Sequence, residues 1–99
     1  MKKYRNLRIA ERINQELSIL FVRDFDFGGA MVTITDVIVG EDLLHAIIKL
    51  GIIPEEQGPE IFFSLEKSKR DIQRKLNRIL NIKPMPHISF QIDRDGLGK

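Results

Sequence analysis

The chain has 99 residues, 42% hydrophobic and 30% charged, with 16 basic and 14 acidic side chains. This length supports one domain with a modest core, and the absence of cysteine excludes disulfides and thiolate metal centres. No apolar run approaches the ~20 residues needed to cross a bilayer, and the basic start Met1-Lys2-Lys3-Tyr4-Arg5 leads into an amphipathic segment rather than a signal-peptide core, so a soluble, cytoplasmic monomer is expected.

The first predicted element is a helix over Tyr4 to Val22. Ile9, Ala10, Ile13, Leu17, Leu20 and Phe21 recur at helical spacing and form one stripe. Arg5, Arg8 and Arg12 fall on the opposite side, and Glu16 follows Arg12 at i+4, a spacing that supports an exposed helical face. Asp24-Phe25-Asp26-Phe27-Gly28-Gly29 ends the helix, the glycines supplying the positive φ of a sharp reversal. Met31-Val32-Thr33-Ile34-Thr35 and Val37-Ile38-Val39 are rich in β-branched residues and predict a strand. Gly40-Glu41-Asp42 is a turn. A second strand follows, with Leu44, Ala46, Ile48, Leu50 and Ile52 on its buried face and His45, Ile47 and Lys49 on the other. The two strands are close enough to form a hairpin.

Pro54, Gly58 and Pro59 break the chain in an acidic loop, and a helical region follows over Glu60 to Asn81. Ile61, Leu65, Ile72, Leu76 and Ile79 share one line of its wheel, while Lys67, Arg70, Arg74 and Arg78 fall opposite. Lys69 conflicts with this pattern, because a straight helix places it beside the apolar stripe. A bend at Ser68-Lys69-Arg70 would relieve the conflict, giving two helices with a kink or one with an irregular turn. Pro84-Met85-Pro86 stops the helix, and the last strand runs from His87 to Asp93 with Ile88, Phe90 and Ile92 on one side. The result is a single α+β domain, 1–99, with its core in about 4–93 and a short tail over 94–99. The order is α-β-β-α(α)-β: a three-stranded sheet with helices packed on one face and a polar face opposite. Leu17, Leu20, Ile34, Ile48, Leu65, Ile72, Leu76 and Phe90 are expected to be core alone.

Charge is segregated along this order. From Glu66 to Arg78, six cations (Lys67, Lys69, Arg70, Arg74, Lys75, Arg78) meet two acids, whereas from Asp24 to Glu60 eight acids meet the single base Lys49. One basic and one acidic end suit docking on a polyanion, nucleic acid above all. The ridge is almost uncompensated by acids, and the first helix adds Arg5, Arg8 and Arg12 after Lys2 and Lys3, so these eleven residues are the expected phosphate contacts. A solvated helix face is the plainer account of any one of them. Exposed aromatics of the kind that stack bases are sparse, which favours folded RNA over bare single strands.

Other motifs carry less. Asp24 with Asp26, and Asp93 with Asp95, are spaced like the start of a calcium loop but lack its later Glu. His45 and His87 can share one sheet surface, yet no third ligand is implied, so no metal is expected. An enzyme using both histidines is a weak third reading. A protein-interaction module, using the acidic hairpin side or a sheet edge, is the main rival.

The chain also resembles a known family. Thr33-Ile34-Thr35-Asp36-Val37, then Asp42-Leu43, then His45-Ala46 with Ile48 and Leu50, is similar to the central hairpin of ribosome-binding factor A. Leu7 to Leu20 resembles that family's first helix, and Ile82 through Pro86, Ile88, Phe90, Ile92 and Asp93 resembles its Pro-led last strand. Two segments depart from the family pattern. Ser68-Lys69-Arg70 stands where a small Ala-x-Gly element usually bends the second helical region, and Phe25-Asp26-Phe27 stands where the turn usually contains Asp-Pro-Arg. The family often extends further past its last strand than Lys99. The resemblance implies a type II KH-like domain, no enzymatic activity and no cofactor. It implies the immature 30S ribosomal subunit and its 16S rRNA as partners, with a role in late subunit maturation.

Overall fold

The computed structural model describes residues 4–93. Helix α1 spans Arg5–Asp24, strand β1 Met31–Val39, strand β2 His45–Ile53, helix α2 Gly58–Leu80 and strand β3 His87–Ile92, with a 3₁₀ turn at Glu55–Gln57 before α2. Lys2, Lys3 and the tail 94–99 lie outside the described residues.

The sheet has the order β1-β2-β3. β1 pairs antiparallel with β2, and β3 adds parallel to β2. The alternate residues Ala46, Ile48, Leu50 and Ile52 of β2, with Ile88 and Phe90 of β3, are buried beneath the helices. The α1 stripe (Ile9, Ala10, Ile13, Leu17, Leu20, Phe21) is buried as the periodicity predicts. Phe21 anchors an aromatic corner with Phe25 and Phe27, each edge-on to it at 5.8 and 5.7 Å. Gly28 and Gly29, at φ 65° and 90°, make the reversal into β1.

Several local expectations are corrected. α2 runs as one α-helix through Ser68-Lys69-Arg70, with no break into two. Lys69 causes no conflict: it lies half-buried on the flank of the stripe, and its ammonium reaches Glu66 at 3.3 Å. A lysine's long stem lets apolar carbons pack while the charge stays in water. Pro59 does not belong to the breaking loop but sits in the first turn of α2, where its missing N–H costs nothing. Leu80, not Ile79, closes the α2 stripe, and Ile79 is 40% exposed. Ile34 is half-buried rather than fully core.

The turn between β1 and β2 is longer than predicted. Leu43 takes a left-handed conformation at φ 64°, Leu43 N–H donates to Gly40 O at 2.9 Å, and Leu44 N–H donates to Asp42 Oδ1 at 2.9 Å. Leu44 therefore stands outside the strand and exposed. A register irregularity between Ile34 and Asp36 explains a switch of phase in β1: Val32 and Ile34 face the helices before it, Val37 and Val39 after it. The opposite sheet face is not uniformly polar, since Met31, Ile38 and Ile53 are exposed on β1 and β2. Across that sheet, Thr35 Oγ1 of β1 donates to Asp93 Oδ2 beyond β3 at 2.8 Å, with β2 lying between the two strands.

Candidate nucleic-acid interface

Burying Ile61, Leu65, Ile72, Leu76 and Leu80 fixes which side of α2 meets solvent. Lys67, Arg70, Arg74 and Arg78 are exposed, and Lys69 and Lys75 are half-buried on the flanks. All six predicted ridge cations therefore lie on one continuous helix at its accessible surface. Arg5, Arg8 and Arg12 are exposed on α1, where Arg5 Nη2 donates to Lys83 O at 3.2 Å. The expected Arg12–Glu16 ion pair is not among the ion pairs of the described residues.

The ridge is more compensated than its composition suggests. Arg74 Nη1 lies 3.4 Å from Asp71 Oδ1, and Lys75 Nζ lies 3.5 Å from Asp71 Oδ2. Lys75 Nζ also lies 2.9 Å from Asp24 Oδ2, and Arg23 Nε lies 3.0 Å from Asp24 Oδ1. The carboxyl of Asp24 thus bridges the end of α1 to the C-terminal part of α2. Its hydrogen bond from Arg23, then that from Lys75, hold it below the usual carboxylate range, while Lys75 is raised chiefly by its hydrogen bond to Asp24. Among the described residues, Arg70 and Arg78 enter no ion pair, and Lys67 sits over the Phe63 ring at 5.5 Å from its centroid. Exposed pairs of this kind contribute only about 0–1 kcal/mol each, so the acids hold these cations weakly.

Two surface grooves adjoin the ridge. One, of about 560 Å³, runs between α2 and the start of β3, where Lys69, Arg70 and Arg74 are joined by Gln73, Asn77 and His87. Gln73 is fully engaged there: Nε2 donates to Asn77 Oδ1 at 2.9 Å and to Pro86 O at 3.1 Å, and Oε1 accepts from Ile88 N–H at 2.8 Å. The other groove, of about 260 Å³, is lined by Arg23, Lys75, Arg78 and Ile79. Sequence reasoning missed Arg23, which is remote in sequence from the ridge, and Phe63, which is 65% exposed beside Lys67. A count of exposed cations near the end of α1 could have flagged Arg23.

The two histidines do meet. The β2–β3 register places His45 directly beside His87, both exposed. Among the described residues no group of three or more His, Asp or Glu is arranged to hold a metal ion. No helix among them is long and apolar enough to cross a membrane.

A sheet with an antiparallel hairpin and a parallel edge strand, covered on one face by two helices, defines a type II KH-like α+β domain. Residues 5–96 match the sequence profile of ribosome-binding factor A, and the chain belongs to that family. It is 35% identical over 91 residues to ribosome-binding factor A of Prochlorococcus marinus, covering 88% of this chain and 70% of that one. Its counterpart in Coprothermobacter proteolyticus is 32% identical over 94 residues, covering 94% and 69%. The fold also matches a crystal structure of ribosome-binding factor A from Thermus thermophilus, with a TM-score of 0.64, 17% identity and coverage of 93% and 94%. A Thermus thermophilus ribosome-binding factor A homology model, fitted into a cryo-EM map of its complex with 30S, matches with a TM-score of 0.72 at 18% identity, covering 86% and 91%. At such identities the structural likeness speaks for the fold alone.

Proposed function

We propose that this chain is a ribosome biogenesis factor that docks on the immature 30S subunit through 16S rRNA and assists its late maturation, without catalysing a reaction. The observation that carries the reading is the exposed cationic side of α2, opposite its buried stripe, in a chain of the ribosome-binding factor A family. Lys67, Lys69, Arg70, Arg74, Lys75 and Arg78 would contact phosphates from α2, with Arg5, Arg8 and Arg12 adding a second basic surface on α1 and Lys2 and Lys3 preceding it. Such contacts position a protein on folded RNA and carry little base information. The chain would act as a placeholder: it clamps an immature rRNA arrangement and leaves when the subunit is complete. The complex of a Thermus relative with 30S supports this partner.

Reversing Arg74 and Arg78 to Glu tests the reading. Both side chains are exposed, so the variant should stay folded. Its affinity for purified small subunits should fall, and the slope of log K against log salt should flatten by about 0.7–0.9 for each phosphate no longer neutralised. Unchanged affinity and slope would remove the ridge from the interface. In a sucrose gradient of lysate, the protein should co-migrate with free small subunits and be absent from polysomes.

A further inference from the structure

One ion pair, Lys75–Asp24, joins α1 to α2, and a second within α1, Arg23–Asp24, shares its carboxylate. Arg23 and Lys75 converge on one carboxylate, that of Asp24, at 3.0 and 2.9 Å. Arg78 joins them around the 260 Å³ groove, whose floor includes Ile79. Two cations from different helices, separated by the width of one carboxylate, have the spacing that a phosphate's oxygens require. The Asp24 side chain is 23% exposed and those of Arg23 and Lys75 are 60% and 37% exposed, so the carboxylate and both cations keep contact with solvent.

We infer that Arg23, Lys75 and Arg78 form a phosphate subsite for backbone phosphates of RNA, and that the Asp24 carboxylate occupies it in the free protein as an internal stand-in. The inference rests on the RNA-docking reading above and adds Arg23 to its contacts. When RNA arrives, a phosphate displaces the Asp24 carboxylate and takes over its two cations. Asp24 therefore competes with the ligand. It keeps the free protein's affinity for RNA in general below what its cations would otherwise give, so that only RNA engaging the rest of the ridge at the same time dislodges it. Asp71, which holds Arg74 and the other side of Lys75, remains in place to orient Lys75.

The bland rival is a structural staple between two helices. The two readings predict opposite signs for Asp24→Asn. A staple lost lowers stability and leaves RNA affinity the same or weaker. A stand-in lost raises it. Anisotropy with a fluorescently labelled stem-loop RNA, read over a salt series, should show Asp24→Asn binding about threefold or more tighter than the native chain. Its salt slope should steepen by about 0.7–0.9 for each additional phosphate neutralised. Arg23→Gln added to Asp24→Asn should return affinity and slope towards the native values. Thermal melts of each variant establish that it is folded, and Asp24→Ser serves as a second variant. If the native chain binds with a steep slope but Asp24→Asn and Asp24→Ser bind no tighter, the stand-in is overturned while the RNA reading survives. If no form binds the RNA even at low salt, both fall.

Discussion

Asp24 decides more about this molecule than its place at the last residue of α1 suggests. Its carboxyl is held below the ordinary value of 3.8 by hydrogen bonds from Arg23 and Lys75. A depressed acid contributes stability above its unfolded value and loses it as pH falls through the folded one. Lys75 is raised above 10.5, chiefly by the same hydrogen bond, so its contribution is full below that value and is lost as pH rises through the folded one. The stability difference between the native chain and Asp24→Asn should therefore be level across neutral pH and close at both ends. Denaturant melts from acid to alkaline pH check this, and a difference that grew in acid would contradict the pairing. The pairing was not legible in the sequence, because Lys75 lies 51 residues from Asp24 and only the packing of α1 on α2 brings them together. The buried stripe of α1 was legible to the residue, since each member lies on one side of a single straight helix. Ile79 was misplaced because, near the end of a long helix, the stripe drifts and Leu80 turns inward instead.

The elements themselves were readable from period and punctuation: five of them, in order, with ends shifted by one or two residues. The exception was the continuity of α2. A conflict at Lys69 suggested a bend, but the side chain resolves it by stretching along the flank towards Glu66. Arg70 is also a good helix former in the middle of the segment. If the helix is continuous there, Arg70→Gly should cost about 1 kcal/mol, or roughly 4–8 °C in Tm for a domain of this size. A bent or irregular turn at this point would accept glycine with little change. In β1 the phase switch was present in the sequence as apolar residues at 32 and 34 and then at 37 and 39, an offset that a regular strand cannot bury on one face.

For the whole molecule, the basic and acidic ends are separated along α2 itself. Glu60 and Arg78 are 18 positions apart, which at 1.5 Å per residue is about 27 Å. That exceeds the Debye length of about 8 Å at physiological ionic strength. Glu60→Gln should therefore change small-subunit affinity by less than about twofold at that salt and diverge only when salt is lowered. The cations of α2, and Arg5, Arg8 and Arg12 of α1, were legible as charge on helical faces, while the neighbours Arg23 and His87 that line the grooves beside α2 were not, because they converge on it only after folding. The same convergence bears on how the sheet meets other chains. β3 is an edge strand, and a free edge is a template on which a foreign strand can align. The Ile88 N–H, turned away from β2, is already satisfied by Gln73 Oε1, whose amide nitrogen also holds Pro86 O and Asn77. A second strand cannot start at the head of β3 without expelling a side chain that makes three hydrogen bonds. At the opposite edge the irregularity in β1 disturbs the spacing that an incoming strand would have to match. The head of one edge is thus guarded by occupation and the other edge by misregister, two local obstacles to strand addition on a small sheet with isoleucines on its open face.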